Sequence, residues 1–434
     1  MSQSGELRLG LLRQLFPPSR RPAVPEALAA EFSRVGWADK IKAGQKVLIT
    51  SGSRGIESLP EVLKGLVELV KAAGGRPVIL PAMGSHGGGT VQGQIEVLAH
   101  LGQTEESLGA PIHADYQPFE LGRVFDGVPV CVDRAATAEA CDHVILVGRI
   151  KEHSEFSGPI ESGLLKMAVI GLGRIAGAVN MHRAAVKYSY AETIKAMAEV
   201  IFQKSPILGG LALVDDQRNL LCHLEAIPKE QIAAREPELL EMSREVKPRL
   251  PWDRLDILLI DEMGKDISGS GLDTKVIGRI MNIYEKELAR PAITRIITRR
   301  MSEKGGGNAL GLGLSDFITA ELYRQADMDM TRLNCVVAVS PEKGRCPIVA
   351  ENVRAALDLA LETVGPWRPE TLDMAWILNT KDLEYLAVSP SLWARAKDNP
   401  ALEALVPPES LPWNGPGSGE LPGFLDYFEK RQRR

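Results

Sequence analysis

Short apolar runs that are each followed by an amphipathic helical pattern recur along this chain, and this alternation constrains its fold more than any other feature. Residues 45–50 (QKVLIT) predict a strand, and residues 59–74 predict a helix that ends at a pair of glycines. The alternation continues with predicted strands at 76–82 and 143–150 and predicted helices at 90–102 and 189–204. Strands that alternate with helices favour βαβ units and a mostly parallel sheet.

A charged helical segment at 228–251, punctuated by Pro228, Pro248 and Pro251, predicts a linker between two α/β domains. Beyond it the alternation restarts, with predicted strands at 255–262, 294–300, 334–341 and 374–380 and a predicted helix at 352–365.

We therefore expect an N-terminal α/β domain over residues 1–250, which includes the linker helix, and a C-terminal α/β domain over residues 251–398. Residues 399–434 hold six prolines without a clear period and predict an extended C-terminal tail. Both sheets should be mostly parallel, and the active site is expected in the cleft between the domains.

The composition argues against several classes of function. Of the 434 residues, 44% are hydrophobic and 25% are charged, and a net charge of −5 gives no sign of a basic surface for nucleic acid. The five cysteines are scattered without a Cys-x-x-Cys pair, which is typical of reduced thiols in a cytoplasm. The charged N-terminus predicts no signal peptide, and no stretch reaches the roughly 18 apolar residues of a membrane span. A cytoplasmic protein without nucleic-acid or membrane partners is expected.

The segment 151–183 holds His153, Lys166 and His182 in one glycine-rich run. Residues without bulky side chains let a ligand approach backbone N–H groups closely, so we include Gly163 among the candidate contacts. Lys166 is embedded among leucine, methionine and valine residues, which predicts partial desolvation. A desolvated lysine tends to lose its proton and to become nucleophilic or bond a ligand. This segment is the expected centre of the site.

Two further loops follow predicted strands. The loop GSHGGGT holds His86 between glycines, and imidazole is well suited to acid/base chemistry near neutral pH. The loop SGSRGIES offers Ser53, Arg54 and a helix N-terminus as a cradle for phosphate. Each loop also has a plainer interpretation as a solvated turn. Because site residues gather at the carboxyl ends of parallel strands, we group His86 with His153.

Two other glycine-rich stretches are open to more than one interpretation. The block GKDISGSGLDTKVIGR at 264–279 is either a solvated loop or an anion site in which Lys265 or Arg279 pairs with a substrate carboxylate. GLGRIAG at 171–177 is superficially like a dinucleotide fingerprint, but the glycine spacing differs.

Taken together, these pieces resemble the nickel-dependent lactate racemase superfamily, from about residue 45 to about residue 385. The resemblance rests on the order of an arginine-bearing loop (SGSRG), a glycine-flanked histidine (GSHGGGT) and a His–Lys–His series in KEHSEFSG, SGLLKM and NMHR. Members of this family are two-domain α/β proteins. They hold a nickel-pincer nucleotide, a pyridinium mononucleotide that carries nickel through carbon and two sulfurs.

The resemblance implies that Lys166 bonds the cofactor covalently through a thioamide and that His182 is the protein ligand to nickel. It also implies that His86 and His153 are the paired acid/base residues. The remaining candidates are then contacts for the cofactor (Ser53, Arg54 and Gly163) and for the substrate carboxylate (Lys265 or Arg279).

Such a protein racemises or epimerises a 2-hydroxy acid by hydride transfer, and its cofactor-synthesis enzymes are expected partners. The residue after His86 is glycine where lactate racemases have arginine, and the surroundings of Lys166 also differ. These differences favour another 2-hydroxy acid or a sugar acid over lactate. The alternative is a non-catalytic protein of the same fold that binds a small anion or nucleotide, and a nicotinamide oxidoreductase is a weaker third option.

Overall fold

The computed structural model describes residues 3–52, 56–84, 86–415 and 417–432. Ser53 and Arg54, the candidates for contacts with a cofactor phosphate, lie outside the described residues. The chain divides into two compact units. One is formed by residues 19–247, and the other by the described parts of residues 1–18 and 248–434.

The strands are numbered β1 to β15 in chain order and the α-helices α1 to α15. The strands comprise Arg8–Gln14, Lys46–Ser51, Arg76–Pro81, Pro118–Val124, Val128–Asp133, His143–Arg149, Ile207–Asp215, Leu221–Pro228, Arg254–Met263, Ala292–Met301, Phe317–Thr319, Ile348–Ala350, Met374–Ile377, Tyr385–Val388 and Leu402–Ser410. The helices comprise Val24–Arg34, Trp37–Lys40, Leu59–Ala72, Val91–His100, Glu105–Leu108, Leu164–Lys166, Leu172–Tyr188, Tyr190–Lys204, Ile232–Glu245, Thr274–Ile277, Ala320–Gln325, Met328–Val337, Val353–Thr363, Pro390–Ala396 and Phe424–Gln432.

The unit of residues 19–247 contains a sheet with the strand order β3-β2-β6-β7-β8. The first four strands in this order run parallel, and β8 is antiparallel to β7. The loops at the carboxyl ends of β3 and β6 carry His86 and the segment from 151 to 163. Ligands of open parallel sheets bind at this edge, so the sheet places the two loops where a ligand is expected.

Helix α3 shows how the sequence pattern produces this packing. Its apolar residues recur three or four positions apart and are buried together with strand residues Val47 and Ile49. Pro60 lies in the first turn, where its missing N–H is not needed. The chain leaves the helix at Gly74, whose φ of 86° is costly for other residues.

The other unit contains an eight-stranded sheet with the order β12-β11-β10-β9-β13-β14-β1-β15. The strands from β12 to β13 are parallel, and the pairings of β14, β1 and β15 are antiparallel. Along β9, Ile257 and Leu259 belong to one apolar cluster and Leu258 and Ile260 to another, because alternate residues face opposite sides of a sheet. The predicted α/β class with mostly parallel sheets is confirmed.

Both ends of the chain contribute to this second sheet. Strand β1 lies in the stretch predicted as the N-terminal domain, but it pairs with β14 and β15. The tail from residue 399, predicted to be extended, supplies β15 and ends in α15. Proline is rare inside strands, so the proline content of the tail did not indicate one. The strand can hold prolines because β15 is an edge strand, where proline costs no ladder hydrogen bond.

One predicted strand differs in the structure. Of residues 334–341, predicted as a strand, those up to Val337 belong to helix α12, which begins after Asp327. The Asp327 carboxylate accepts hydrogen bonds from two backbone N–H groups of the first turn, and a short valine run cannot by itself distinguish a strand from a helix end. The segment 228–251, predicted as a linker helix within the N-terminal domain, contributes the last residue of β8, Pro228, and helix α9 to the unit of residues 19–247.

Residues Leu164–Tyr188 form one helical segment, in which the π-helical turn Met167–Gly171 joins α6 to α7. Among the described residues, this is one helix long and apolar enough to cross a membrane by length and composition, contrary to the expectation that no stretch would qualify. Because 61% of its most apolar stretch is buried, it has the character of a core helix of its unit. Arg174 interrupts it with φ 47° and ψ −135°, a conformation that costs roughly 1–3 kcal/mol.

Candidate functional site

The segment after β6 forms a closed loop that presents His153. Lys151 and Ser162 exchange two backbone hydrogen bonds, of 3.0 and 3.1 Å, which close the base of the loop. Inside the loop, the Glu161 carboxylate accepts hydrogen bonds from the backbone N–H groups of His153 at 2.5 Å and of Gly158 at 3.2 Å. Glu161 therefore fixes the backbone on which His153 lies.

Arg244 of helix α9 holds this carboxylate from the other side. Its Nη2 atom donates to Glu161 Oε1 at 2.6 Å and to the Gly158 carbonyl oxygen at 2.8 Å. The Glu161 side chain is 0% exposed, and a buried carboxylate is tolerated only when it is paired and hydrogen-bonded in this way. The loop is thus anchored to a helix more than 80 residues further along the chain.

The contact between His153 and Lys166 is the central feature of the site. His153 Nδ1 accepts a hydrogen bond from the Glu155 backbone N–H at 3.0 Å, so the neutral ring carries its proton on Nε2. That Nε2 atom lies 2.5 Å from Lys166 Nζ. A ring N–H donates to the lone pair of a neutral amine, whereas an ammonium group has donors only. The geometry therefore favours a neutral, nucleophilic amine at Lys166.

A stack of aromatic rings joins His153 to His182. The His153 ring stacks on Phe156 with centroids 4.7 Å apart, and Phe156 lies parallel to Tyr190 at 4.6 Å. The rings of His182 and Tyr190 make a T-shaped contact, with centroids 6.0 Å apart. Phe156 and Tyr190 are buried, while both histidines are only partly buried. The apolar rings therefore hold the imidazoles in place and leave part of each accessible.

The loop that carries His86 packs against the π-helical turn that follows Lys166. A Cβ atom on Gly84 would lie only 2.9 Å from Cγ2 of Ile170, and the φ of Gly84 is 58°. Glycine meets both the steric and the conformational requirement at this point. The structure thus brings the backbone next to His86, which is itself partly buried, to the helical segment that carries Lys166.

The glycines of GLGRIAG serve helix packing. This stretch lies inside the helical segment and not in a strand-to-helix turn of the kind that binds a dinucleotide. A Cβ atom on Gly173 would lie 2.7 Å from the carbonyl oxygen of Cys131 in β5, and one on Gly177 would lie 2.5 Å from that of Val169. The two glycines therefore allow the close approach of neighbouring backbone.

Gly163 precedes helix α6 and faces Glu236 of helix α9. A Cβ atom on Gly163 would lie 2.4 Å from the Glu236 carboxyl carbon, so the glycine is required by this approach. Glu236 Oε2 accepts a hydrogen bond from the Leu165 backbone N–H at 2.9 Å. Its Oε1 atom is buried and has no partner among the described residues. The carboxyl group caps the first turn of the helical segment that carries Lys166.

Replacing Glu236 with glutamine is expected to remove a pH dependence of stability. Burial raises the pKa of Glu236 from about 4.5 to about 7. Between these values the unfolded chain releases the proton and the folded protein keeps it, so stability falls as pH rises through this range. At about 1.4 kcal/mol per pKa unit, the wild-type protein should lose about 3 kcal/mol between pH 4 and pH 8 from this group.

The measurement is denaturant unfolding of the wild type and of Glu236→Gln across this pH range. The matched control is Glu238→Gln, the same change at an exposed position on the same helix. The control should keep the wild-type slope of stability against pH. An unchanged slope in Glu236→Gln would show that the buried carboxyl does not titrate in this range.

Lys265 and Arg279, the candidates for the substrate carboxylate, lie in the unit that contains the second sheet. Lys265 Nζ donates to the Gly269 carbonyl oxygen at 2.8 Å, within its own loop. Arg279 pairs with Asp316 at 2.8 Å and donates to three backbone carbonyl oxygens. These bonds give Arg279 a structural role. That Lys265 or Arg279 binds a substrate carboxylate stays a prediction.

Sequence reasoning missed the residues that support the site. Glu161 lies within the predicted segment, and its place before the SGLLK run was an available signal. Glu236 and Arg244 lie in the helix predicted as a linker, and nothing local marked them. Among the described residues, no group of three or more His, Cys, Asp or Glu side chains is arranged to hold a metal ion.

No protein-family model matches the chain, and no curated protein matches it significantly. Among solved structures, the chain is similar to a crystal structure of a protein from Thermotoga maritima, with 14% identity and a TM-score of 0.49 over 83% of this chain and 89% of that one. It is also similar to the structure of the lactate racemase apoprotein from Thermoanaerobacterium thermosaccharolyticum, with 13% identity and a TM-score of 0.46 over 83% and 91% of the two chains. These identities are too low to transfer the role of a residue.

Proposed function

We propose that this protein is a racemase or epimerase of a 2-hydroxy acid that carries a nickel-pincer nucleotide on Lys166. The observation that supports this most directly is the 2.5 Å contact between Lys166 Nζ and His153 Nε2, with His182 against the same aromatic stack. It provides a neutral amine and two imidazoles within one small region. The order of these residues along the chain is also the basis of its resemblance to the nickel-dependent lactate racemase superfamily.

The residues present fit such a cofactor. Attachment through a thioamide requires an amine that can be acylated, which Lys166 supplies. Imidazole nitrogen is a good ligand for nickel, and His182 offers one at a partly buried position. Because carbon and two sulfurs of the nucleotide would hold the metal, a single protein ligand is enough and no cluster of metal-binding side chains is needed.

When bound, the cofactor supplies an acceptor for hydride from the substrate carbon. The protein's own histidines move the proton of the substrate hydroxyl, with His86 and His153 serving the two enantiomers. Proton transfer of this kind contributes about 10²–10⁴-fold to rate. A Lys166 nitrogen held in a thioamide would have its lone pair delocalised and would no longer accept from His153 Nε2–H, so that N–H would become available to the substrate.

The substrate in this proposal is an anionic 2-hydroxy acid or sugar acid. Lys265 or Arg279 would pair with its carboxylate, since both carry a positive charge in a loop or at a helix end of the second unit. Ser53 and Arg54 would contact the cofactor, with Arg54 on its phosphate, and Gly163, whose α-carbon lies against the Glu236 carboxyl group, would contact it through its backbone. Enzymes that synthesise the cofactor are the implied partners, and a cytoplasmic location is part of the proposal.

One observation favours the alternative, a non-catalytic protein that binds a small anion or nucleotide. In the described geometry, His153 Nδ1 accepts from Glu155 and Nε2–H donates to Lys166. Neither ring nitrogen then has a lone pair for a substrate proton. A protein that kept this arrangement with its ligand bound would bind without catalysing proton transfer.

The test is intact-protein mass and nickel content after co-expression with cofactor-synthesis enzymes. The proposal expects an adduct of nucleotide size and about one nickel per chain, from a single lysine and a single histidine ligand. Racemisation of 2-hydroxy acids would then be screened. A protein with neither adduct nor nickel under these conditions would overturn the cofactor assignment in favour of the binding protein.

A further inference from the structure

Arg174 interrupts the helical segment Leu164–Tyr188 and is almost completely buried. Its guanidinium group donates to Asp133 Oδ2 at 2.9 Å and to the Asp115 carbonyl oxygen at 2.6 Å, and it lies 4.7 Å from the centre of the Tyr116 ring. Its φ of 47° lies in a region that residues with side chains rarely adopt. Such a conformation persists only where the surrounding contacts determine it.

The remaining donors of this arginine reach Gln94 of helix α4. Arg174 Nε and Nη2 donate to Gln94 Oε1 at 2.9 and 2.5 Å. Gln94 Nε2 in turn donates to the carbonyl oxygens of Gly84 at 2.9 Å and of His86 at 3.3 Å. Gln94 is 0% exposed. Direct hydrogen bonds therefore connect the long helical segment to the backbone of His86.

The chemistry of the groups allows only one orientation of the Gln94 amide. A guanidinium group only donates and carbonyl oxygens only accept, so Gln94 must turn its oxygen to Arg174 and its nitrogen to the loop. Glutamate at this position would keep the pairing with Arg174 but would place an oxygen against the two carbonyl oxygens. Gln94 therefore joins the helix to the loop in one orientation, with its side-chain oxygen toward Arg174 and its nitrogen toward the carbonyl oxygens of the loop.

We infer that Arg174 and Gln94 are positioning residues that set the place of His86 relative to the helical segment of Lys166 and His182. The inference rests on the proposed function where it gives His86 a catalytic role, whereas the hydrogen bonds do not depend on it. A misplacement of about 1 Å at a reacting group is enough to cost about 10²-fold in rate. The coupling of loop to helix is thus expected to matter for turnover.

The test compares Gln94→Glu with Gln92→Glu, the same change at an exposed position on the same helix. In histidine-labelled protein without cofactor, the NMR resonance of His86, assigned by its loss in His86→Gln, should shift in Gln94→Glu and stay in Gln92→Glu. Hydrogen exchange of the His86 amide, which donates to the Met83 carbonyl at 3.1 Å, should rise about tenfold or more in Gln94→Glu only.

In cofactor-loaded protein, Gln94→Glu should keep its adduct and nickel while kcat falls about 10²-fold and KM changes little. An unmoved His86 resonance with unchanged exchange would overturn the positioning inference. If loaded wild-type protein turns over no hydroxy acid, the proposed function fails, and the NMR and exchange data still decide the positioning inference.

A second variant covers the case in which Gln94→Glu does not fold. Arg174→Lys keeps a positive charge for Asp133 but lacks the planar fork that reaches both Asp133 and Gln94. It should shift the same His86 resonance in a folded protein and raise exchange of the same amide. A resonance at its wild-type position in Arg174→Lys would likewise overturn the inference.

Discussion

Lys166→Ala is expected to yield a folded protein that carries no covalent adduct and has no measurable racemase activity. Alanine leaves no nucleophile at the position where Lys166 Nζ meets His153 Nε2. The loss of kcat should exceed the roughly 10²–10⁴-fold that the loss of proton transfer alone would cost, because the cofactor itself is lost. Intact mass of co-expressed protein measures the adduct, and a chiral assay measures turnover.

The matched control is Lys187→Ala on the same helical segment. Lys187 is 67% exposed and pairs with Asp126, so its replacement should leave both adduct and turnover unchanged. Lys166→Arg provides a second comparison, because the arginine guanidinium group is always charged and is not acylated under these conditions. A nucleotide-sized adduct on Lys166→Ala would show that the anchor is a different residue.

The centre of the site could be predicted because its chemistry is local in the sequence. His153, Lys166 and His182 occur within one run of 33 residues, 151–183, and the loop of His153 follows a recognisable buried strand. Parallel strands end at one edge of the sheet, so the position of each loop after its strand was enough to group His86 with them. Bonding of a ligand at the embedded Lys166 stays a prediction.

The supporting residues could not be predicted because they meet the site only through the fold. Glu236 caps a helix turn 71 residues earlier in the chain, and it lies in a segment whose charge and prolines indicated a linker. Gly163 is predicted as a cofactor contact, and the structure shows that its lack of a side chain also accommodates this carboxyl group. A glycine in a sequence indicates close approach but does not indicate what approaches.

The hydrogen bonds of His153 define one tautomer of the ring, and acid/base chemistry at Nε2 requires the other. With Lys166 as a free amine, Nδ1 accepts from Glu155 and Nε2–H donates to Lys166. To take a proton at Nε2, the neutral ring must carry its own proton on Nδ1. Nδ1 would then be a donor and could no longer accept the hydrogen bond from the Glu155 N–H. Acid/base work by His153 therefore requires a local change at Glu155 once Lys166 is acylated.

His153→Asn is expected to preserve the loop and to remove proton transfer. Asparagine readily accepts a hydrogen bond from the backbone N–H two residues further on, so its side-chain oxygen can replace Nδ1 as the partner of Glu155. No group then stands at the position of Nε2. The expected result is a fall in kcat of about 10²–10⁴-fold, with adduct and nickel retained because Lys166 and His182 are intact.

His153→Gln tests the other half of the ring, because a glutamine amide reaches the Nε2 position but does not transfer a proton. It should restore a polar contact with Lys166 without restoring turnover, and both variants should then fall to a similar rate. His100→Asn, at an exposed histidine of helix α4, should retain the wild-type kcat. Wild-type turnover in His153→Asn would remove His153 from the acid/base pair and leave its contact with Lys166 as its role.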